Sequence, residues 1–304
     1  MNKLSNERVG ELMVGGETIL YALFPILIAY TTKFMPPILF AGLSMLVAAA
    51  ALFIYMFAKG ETQKIKNLKT IKYAIGVAIF IIIIPAILIF VGSSKTSGIN
   101  TSILLQSEIF FTFVICGIFT NESITFRKIL GAILMAAGAF FILFNGTFSI
   151  NSGDLLIIAG TLFYPIGNII AKKALTFSTP SVILFIRSLL GGIILLFISY
   201  LFEKWSLSIE QIISSNYLFI LANGVLIYAV SKVLWYESIK RIDISKAVLI
   251  SIGVYPAISL FFAFLFLGEV PTIFQAAGLI VILLGIYKIT EKRKTLSYEA
   301  SGMS

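Results

Sequence analysis

Long apolar runs follow one another along this chain, separated by short polar or turn-rich segments. Two of them, residues 73–91 and 247–267, contain no charged side chain. About 20 apolar residues suffice for a helix to cross the hydrocarbon core of a bilayer. The pattern predicts ten transmembrane helices, at residues 10–31, 36–58, 73–93, 98–118, 126–145, 153–172, 180–201, 216–236, 246–267 and 273–290.

Composition supports the same class. Of 304 residues, 59% are hydrophobic and 12% are charged, and the mean hydropathy is +1.03. Soluble domains have about 45–50% apolar and about 25% charged residues. We therefore predict an all-α membrane protein in contact with the lipid bilayer. The chain has no histidine and one cysteine, Cys116. A histidine-based catalytic triad, a histidine-ligated metal and an intrachain disulfide are thus excluded, and we predict no cofactor, metal site or catalytic residue.

The basic residues predict the orientation. Of the 23 Lys and Arg residues, eighteen fall in loops on one side of the ten predicted helices, three fall on the other side, and two lie within helices. Because Lys and Arg accumulate in cytoplasmic loops, both termini are predicted to be cytoplasmic, in a plasma (inner) membrane. The net charge of +9 therefore reflects topology, and we predict no nucleic-acid partner.

The chain also contains an internal repeat of five predicted helices. The halves cover residues 9–146 and 153–290, followed by a predicted cytoplasmic tail, 291–304. Positions recur at offsets of 143 to 147 residues: Glu122, Gly131 and Gly138 as Glu269, Gly278 and Gly285, Pro37 as Pro180, and Ser44 as Arg187. An odd number of helices makes the second copy enter the membrane from the opposite side. Two inverted repeats are characteristic of many transporters, and a duplicated scaffold without a cavity is the alternative.

Two segments carry a resemblance to a known family. The sequences LGEVPTIFQAAGLIVILLGI and WYESIKRIDISKAVLISIGVYPAISLFFAF resemble the EamA domain of the drug/metabolite transporter superfamily, and the similarity covers about residues 9–290. It implies a carrier, in most cases an exporter, with a central cavity lined by helices 1–4 and 6–9. Where the family often has Glu-Pro in the fourth helix of a repeat, this chain has Glu108-Ile109 in one half and Tyr255-Pro256 in the other.

Four charged residues lie within predicted helices, where a charge costs roughly 2.5–3.5 kcal/mol. Glu108, near mid-helix, is either a proton or cation site or a protonated group that joins helices. Glu17, with Tyr21 one turn above it, and Arg187 lie at matching depths, and they form either a structural ion pair or a substrate clamp. Arg187 would suit an anionic or zwitterionic solute. For Lys232, close to a helix end, we favour a side chain that reaches water.

Polar stripes on helices 6 and 8 indicate a wet interior. Tyr164 and Asn168 are four residues apart, and Tyr228 lies on a similar stripe. The predicted substrate-binding residues are Glu108, Arg187, Glu17, Tyr21, Tyr164, Asn168, Tyr228, Tyr255 and Lys232. Among them, Glu108 and Glu17 are the predicted proton-coupling residues.

The repeated glycines and glutamates favour structural roles. The glycine pairs, seven residues apart, suit helix packing within the bundle better than a dimer interface, and we predict a monomer or weak homodimer. Glu122 and Glu269 sit before a predicted helix, where a negative group favours the N-terminal dipole. Their predicted role is at the helix entry.

Together these features predict a secondary transporter that exports small organic solutes, such as amino acids, metabolites or drugs. Its energy would come from proton antiport or solute exchange, because no nucleotide-binding G-x-x-x-x-G-K-[ST] motif occurs. The alternative is a flippase for lipids or lipid-linked sugars. An intramembrane enzyme would need paired carboxylates, a metal site or an activated nucleophile. It is disfavoured because the chain has no histidine and one cysteine.

Overall fold

The computed structural model describes residues 6–119, 126–144, 151–205, 208–239, 241–242 and 244–290. Glu122 and the predicted tail lie outside them. Within these ranges the chain is helical and has no β-strand. The α-helices are α1 (Asn6–Tyr21), α2 (Phe24–Thr31), α3 (Pro37–Ala58), α4 (Leu68–Val77), α5 (Ile84–Ser93), α6 (Gly98–Leu104), α7 (Ser107–Phe119), α8 (Phe126–Phe144), α9 (Ser152–Thr161), α10 (Phe163–Ala174), α11 (Pro180–Phe202), α12 (Ile209–Leu221), α13 (Lys232–Ile239), α14 (Ile244–Leu267) and α15 (Ile273–Thr290). A 3-10 turn covers Thr62–Lys66, and π-helical segments cover Ala78–Ile83 and Ala222–Ser231.

Many of these helices are suited to a bilayer. Among the described residues, six helical stretches are long and apolar enough to span a membrane: Asn6–Thr31, Pro37–Ala58, Leu68–Ser93, Ser152–Ala174, Pro180–Phe202 and Glu210–Ser238. Shorter apolar helices cover Ile129–Ile142, Tyr255–Leu267 and Ile273–Lys288. The predicted all-helical class is confirmed for the described residues, and several of the helices have the length and composition of membrane spans.

Helices α4 and α12 begin at least five residues earlier than hydropathy predicts. We expected starts at residues 73 and 216, but α4 begins at Leu68 and α12 at Ile209. The Asn67 side chain accepts hydrogen bonds from the first backbone N–H groups of α4, and Ser208 forms a reciprocal capping box with Gln211 on α12. Capping residues start a helix inside a polar segment. The beginning of an apolar run therefore places the start of such a helix too late in the sequence.

Several helical stretches are interrupted near their middle. Turns separate α1 from α2, α6 from α7 and α9 from α10. Proline lacks an N–H group and its ring clashes with the carbonyl four residues earlier, which explains the breaks just before Pro25 and Pro165. Pro85 follows closely after the first π-helical segment, whereas Pro256 lies inside the uninterrupted α14. Irregular backbone at membrane depth is tolerated where protein or a cavity surrounds it.

Close glycine contacts join α8 to α15. A Cβ atom added at Gly138 would lie 2.7 Å from the Gly278 carbonyl oxygen, and one at Gly278 would lie 2.7 Å from the Gly138 carbonyl oxygen. Gly285 meets the Gly131 backbone in the same way. The glycines therefore bring these two helices together within one chain, the packing role that we predicted. The order of the contacts makes the pair antiparallel.

A Gly138→Ala substitution is expected to destabilise the protein by about 1–3 kcal/mol, because the new methyl group meets rigid backbone. Gly15→Ala is the matched control, since a Cβ atom at Gly15 meets no atom within 4 Å. Alanine suits a helix better than glycine by about 1 kcal/mol, so the control should be neutral or stabilising. Thermal unfolding in detergent measures both variants. Equal melting temperatures would contradict the close contact.

Carboxylates tie α3 and α11 together at both ends. Glu203, which ends α11, accepts hydrogen bonds from the backbone N–H groups of Ile38 and Leu39 at 2.8 and 2.9 Å. Glu61, just after α3, accepts hydrogen bonds from the Thr179 and Ser181 hydroxyls at the start of α11. Each helix thus ends beside the start of the other, and α3 and α11 run antiparallel.

Candidate solute-binding site

The interrupted helices place polar and aromatic side chains beside irregular backbone. Tyr21 is the last residue of α1, Glu108 the second of α7 and Tyr164 the second of α10. Lys232 begins α13 directly after a π-helical segment. Such segments often mark functional sites, because they redirect the side chains that follow. The breaks therefore organise much of the predicted site.

A partly buried ion pair forms the base of this cluster. The Lys232 Nζ atom donates a hydrogen bond to Glu17 Oε1 at 3.0 Å, and the Ser231 hydroxyl donates to the same oxygen at 3.3 Å. Glu17 is 3% exposed. A buried carboxylate is tolerated when a cation and further donors satisfy it. Glu17 from the first half of the chain is therefore joined directly to the second half.

Lys232 has partners that its position near a helix end does not predict, and its side chain remains 19% exposed. Its Nζ atom lies 3.4 Å from the centroid of the Tyr21 ring as well as against Glu17. A carboxylate and an aromatic face within reach hold an ammonium group inside the bundle. Sequence spacing places Lys232 near a helix end but cannot reveal a partner more than 200 positions away.

Aromatic rings form the wall above the ion pair. Tyr21 stacks on Phe24 with ring centroids 5.3 Å apart, and it lies 5.9 Å from Tyr255. Phe24 in turn meets Tyr228 edge-on at 5.6 Å. These distances suit favourable aromatic pairs. The wall combines Tyr21 and Phe24 from the first half of the chain with Tyr228 and Tyr255 from the second.

Glu108 and Asn168 form a second polar pair. The Asn168 Nδ2 atom donates to Glu108 Oε1 at 3.3 Å. Asn168 is exposed and Glu108 is half-buried, in contrast to buried Glu17. Glu108 also lies within electrostatic range of Lys232 and Glu17. Glu108 therefore stands at the accessible edge of the same cluster.

Arg187 is buried, with one guanidinium nitrogen left without a partner in the described part of the chain. It is 3% exposed, and its Nε atom has no hydrogen-bond partner among the described residues. The ion pair with Glu17 that we considered from sequence is not formed, because Glu17 pairs with Lys232. Arg187 instead lies within electrostatic range of the Tyr164 and Tyr228 side chains. The structure thus brings all nine predicted residues into one region.

Sequence reasoning missed two contributors to the cluster. Phe24 lies in an apolar run, and only the break before α2 turns its ring towards Tyr21 and Tyr228. Ser231, which donates to Glu17, was not among the predicted site residues. A π-helical segment has no simple sequence pattern. These two residues could not be predicted because their orientation depends on local helix geometry, which the sequence pattern does not reveal.

Comparison with known proteins identifies the family. The model of the EamA-like transporter family matches residues 8–144 and 151–290. The chain belongs to the EamA-like transporter family. The expected resemblance is confirmed, and this EamA-like protein is a multi-pass membrane transporter. The two matched segments contain every residue of the candidate site.

Individual relatives support the same conclusion. The EamA-like protein is 28% identical to the uncharacterized transporter YoaV of Bacillus subtilis (strain 168), over 84% of this chain and 88% of that protein. It is 25% identical to an uncharacterized transporter of Archaeoglobus fulgidus, over 88% and 93% of the two chains. A crystal structure with 16% sequence identity superposes with a TM-score of 0.66, covering 92% of this chain and 95% of that chain. The last comparison shows a shared fold.

Proposed function

We propose that this EamA-like transporter is a secondary carrier that exports a small organic solute by alternating access, driven by proton antiport or solute exchange. One observation carries the proposal: the two halves of the chain jointly build a polar and aromatic cluster at interrupted helices. Glu17 and Tyr21 from the first half contact Lys232 and Tyr255 from the second. Discontinuous helices around a site between repeats are typical of carriers.

The arrangement of equivalent helices supports two inverted five-helix repeats, 9–146 and 153–290. In this proposal three crossings of the first half each combine two helices: α1 with α2, α4 with α5, and α6 with α7. The second half is divided in the same way, and the two halves together make ten crossings. Helices α3 and α11 occupy equivalent places in the two halves and run antiparallel. The same is true of α8 and α15. Antiparallel counterparts are expected when the second copy is inverted.

The orientation follows from the distribution of basic residues. With both termini in the cytoplasm of a plasma-membrane protein, only Lys33, Lys95 and Lys204 lie in outer loops. The cytoplasmic loops then hold the other basic residues outside the crossings, as the positive-inside rule requires. Glu203 and Glu269 consequently lie at the outer face, and Glu61 at the inner face.

Hydrogen bonds close the outer face between the two halves. Glu269 accepts hydrogen bonds from the N–H groups of Gly98 and Ile99 at 3.1 and 2.9 Å. It therefore caps α6 of the other half, whereas Thr272 and Gln275 cap the following helix, α15. The predicted role at a helix entry thus applies to a different helix from the one we expected. A carboxylate near an N-terminus favours the helix dipole.

A buried network reinforces this closure. Asp154 at the start of α9 accepts hydrogen bonds from Thr96 at 2.6 Å and from Asn100 at 3.1 and 3.2 Å. Gln275 of α15 donates to the Asn100 side chain at 2.7 Å. The network joins the two halves of the chain on the outer side of the polar and aromatic cluster. A carrier that alternates must release such contacts when its outer face opens.

A Glu269→Ala substitution is expected to open the outer face more often. The reporter is Ser102→Cys in a Cys116→Ser background, because Ser102 on α6 contacts Ser259 on α14 at 2.7 Å, beneath the cap. An impermeant thiol reagent applied from outside should react about tenfold faster in the Glu269→Ala variant, which corresponds to about 1.4 kcal/mol. Glu210→Ala, at the exposed start of α12, is the control. An unchanged rate would contradict the closing role.

Transport itself is tested with a ligand found in two steps. A metabolite library is screened for compounds that raise the melting temperature of the purified protein, since ligands of the folded state stabilise it. Each stabilising compound is then loaded into proteoliposomes, and its exchange with external labelled compound is measured. We expect exchange that depends on the protein. Stabilising ligands that never cross the vesicle membrane would contradict the carrier function.

A second candidate, a flippase for lipids or lipid-linked sugars, is favoured by one feature. An apolar cleft of about 320 Å³ lies between α7, α8, α9 and α15, lined by residues that include Phe110, Phe111 and Phe140. Phe140 is exposed, so the cleft opens on the surface of the bundle, and Ser107 at its wall adjoins Glu108. Protein-dependent transfer of a fluorescent phospholipid between leaflets would favour this candidate. No transfer alongside solute exchange would exclude it.

A further inference from the structure

We infer that Arg187 binds the carboxylate of the transported solute, so that the substrate class is a monocarboxylate with an apolar or aromatic body. The inference rests on the proposed carrier function and specifies what its site takes. Its starting point is the unpartnered Nε atom of Arg187, a residue that is 3% exposed.

The cluster holds two acids, Glu17 and Glu108, and two bases, Lys232 and Arg187, and among the described residues a direct ion pair joins only Glu17 and Lys232. Glu17 and Lys232 neutralise each other in a pair of 3.0 Å, and the Ser231 hydroxyl adds a further donor to Glu17. The Nε atom of Arg187 has no hydrogen-bond partner among the described residues. Guanidinium stays protonated at every physiological pH. A buried charge without a partner is costly, and a bound anion would remove that cost.

The position of Arg187 suits a ligand in the cluster. Its charge acts on the Tyr164 and Tyr228 side chains, and Tyr228 belongs to the aromatic wall through Phe24. A guanidinium presents two parallel N–H donors that match the two oxygens of a carboxylate. A carboxylate on Arg187 therefore places the rest of the solute against tyrosine and phenylalanine rings, which favour a flat apolar body.

The same charges favour a carboxylate over a phosphate. A phosphate ester carries close to two negative charges at neutral pH, and two free cations would balance it best. Within the described part of the cluster, Lys232 is already committed to Glu17. Arg187 is the one described base of the cluster outside that pair, and the acid Glu108 in the same cluster disfavours a doubly charged anion. Glu108, bonded to Asn168 at the accessible edge, offers an acceptor to a solute that also bears an ammonium group.

Three probes that share a phenyl ring separate these possibilities. The compounds are 3-phenylpropionate, which has only the carboxylate, 2-phenylethylamine, which has only the ammonium, and phenylalanine, which has both. Binding is measured from the melting temperature of the full-length protein as a function of probe concentration. We expect 3-phenylpropionate to stabilise the protein and 2-phenylethylamine to have no effect. Stabilisation by phenylalanine as well would show that the site accepts a zwitterion.

Variants of Arg187 assign the binding to its side chain. Arg187→Gln should weaken binding of 3-phenylpropionate at least about tenfold, because a charge-assisted bond is lost. Arg187→Lys keeps the positive charge but lacks the planar guanidinium group, and it should weaken binding of 3-phenylpropionate less than Arg187→Gln does. Arg8→Gln, at the exposed start of α1, is the matched control and should bind as the unmodified protein does. If Arg187→Gln does not fold, Arg187→Lys and the ranking of probes on the unmodified protein decide.

Distinct results overturn the inference and the carrier function. Stronger binding of the amine than of the acid, no binding of any probe, or equal binding of the acid to the Arg187→Gln variant would overturn the carboxylate site. Proteoliposomes then test transport separately. Exchange of the amine but not the acid would leave the carrier function standing without the carboxylate site. Binding of the acid without exchange would support the Arg187 site and contradict the carrier function.

Discussion

Replacing Lys232 with methionine is expected to abolish transport and to destabilise the protein by about 3–5 kcal/mol, the usual effect of breaking a buried ion pair from one side. Methionine keeps most of the length of the side chain but removes the charge, so Glu17 would be left with the Ser231 hydroxyl. The Tyr21 ring would also lose the ammonium group on its face. Reversible unfolding in mixed detergent micelles measures the stability of the variant.

Two controls separate the pair of Glu17 and Lys232 from charge loss in general. In the double variant Glu17→Gln with Lys232→Met, no charge is left unpaired, and most of the lost stability should return. Lys59→Met breaks a partly exposed pair with Glu237 at 3.7 Å and should cost less than about 1 kcal/mol. A double variant as unstable as Lys232→Met alone would contradict the pairing.

A Glu108→Gln variant is expected to lose pH-gradient-driven transport while retaining solute exchange. Glutamine keeps the size of the side chain and an oxygen that can accept the bond from Asn168, but it cannot take up or release a proton. In the proposed cycle Glu108, half-buried at the edge of the cluster, takes up and releases the coupled proton. We expect gradient-driven accumulation to fall at least about tenfold, with exchange of unlabelled for labelled solute changed much less.

The measurement uses proteoliposomes with an imposed pH difference. Glu210→Gln, at the exposed start of α12, is the matched control and should transport as the unmodified protein does. Accumulation that survives in Glu108→Gln would remove the proton-coupling role and leave Glu17 as the other predicted candidate. Loss of exchange together with accumulation would instead assign Glu108 to solute binding.

The overall membrane fold is readable from sequence because long apolar runs admit few alternatives in a bilayer. The helix starts at Leu68 and Ile209 differ from hydropathy because capping by Asn67 and Ser208 acts in polar segments. The glycine contacts of α8 and α15 were predictable for a related reason. Small residues seven positions apart mark a face where helices approach closely.

The sequence indicated which residues form the site more readily than it indicated which of them contact one another. Intramembrane charges are rare and therefore easy to single out, and Glu17, Arg187 and Lys232 were all identified. Which acid meets which base depends on how helices from the two halves cross, and spacing along the chain does not encode it. For the same reason sequence could not reveal that Glu269 caps α6, whose first residues lie about 170 positions earlier.

Accessibility of the cluster from both faces of the membrane tests the central claim most directly. A Ser231→Cys variant in the Cys116→Ser background places one thiol beside Glu17, and impermeant reagents are applied separately to right-side-out and inside-out vesicles. We expect modification from each face, and we expect a saturating transported ligand to slow both reactions. Modification from one face only, under every ligand and pH condition, would contradict a site that the two sides reach in turn.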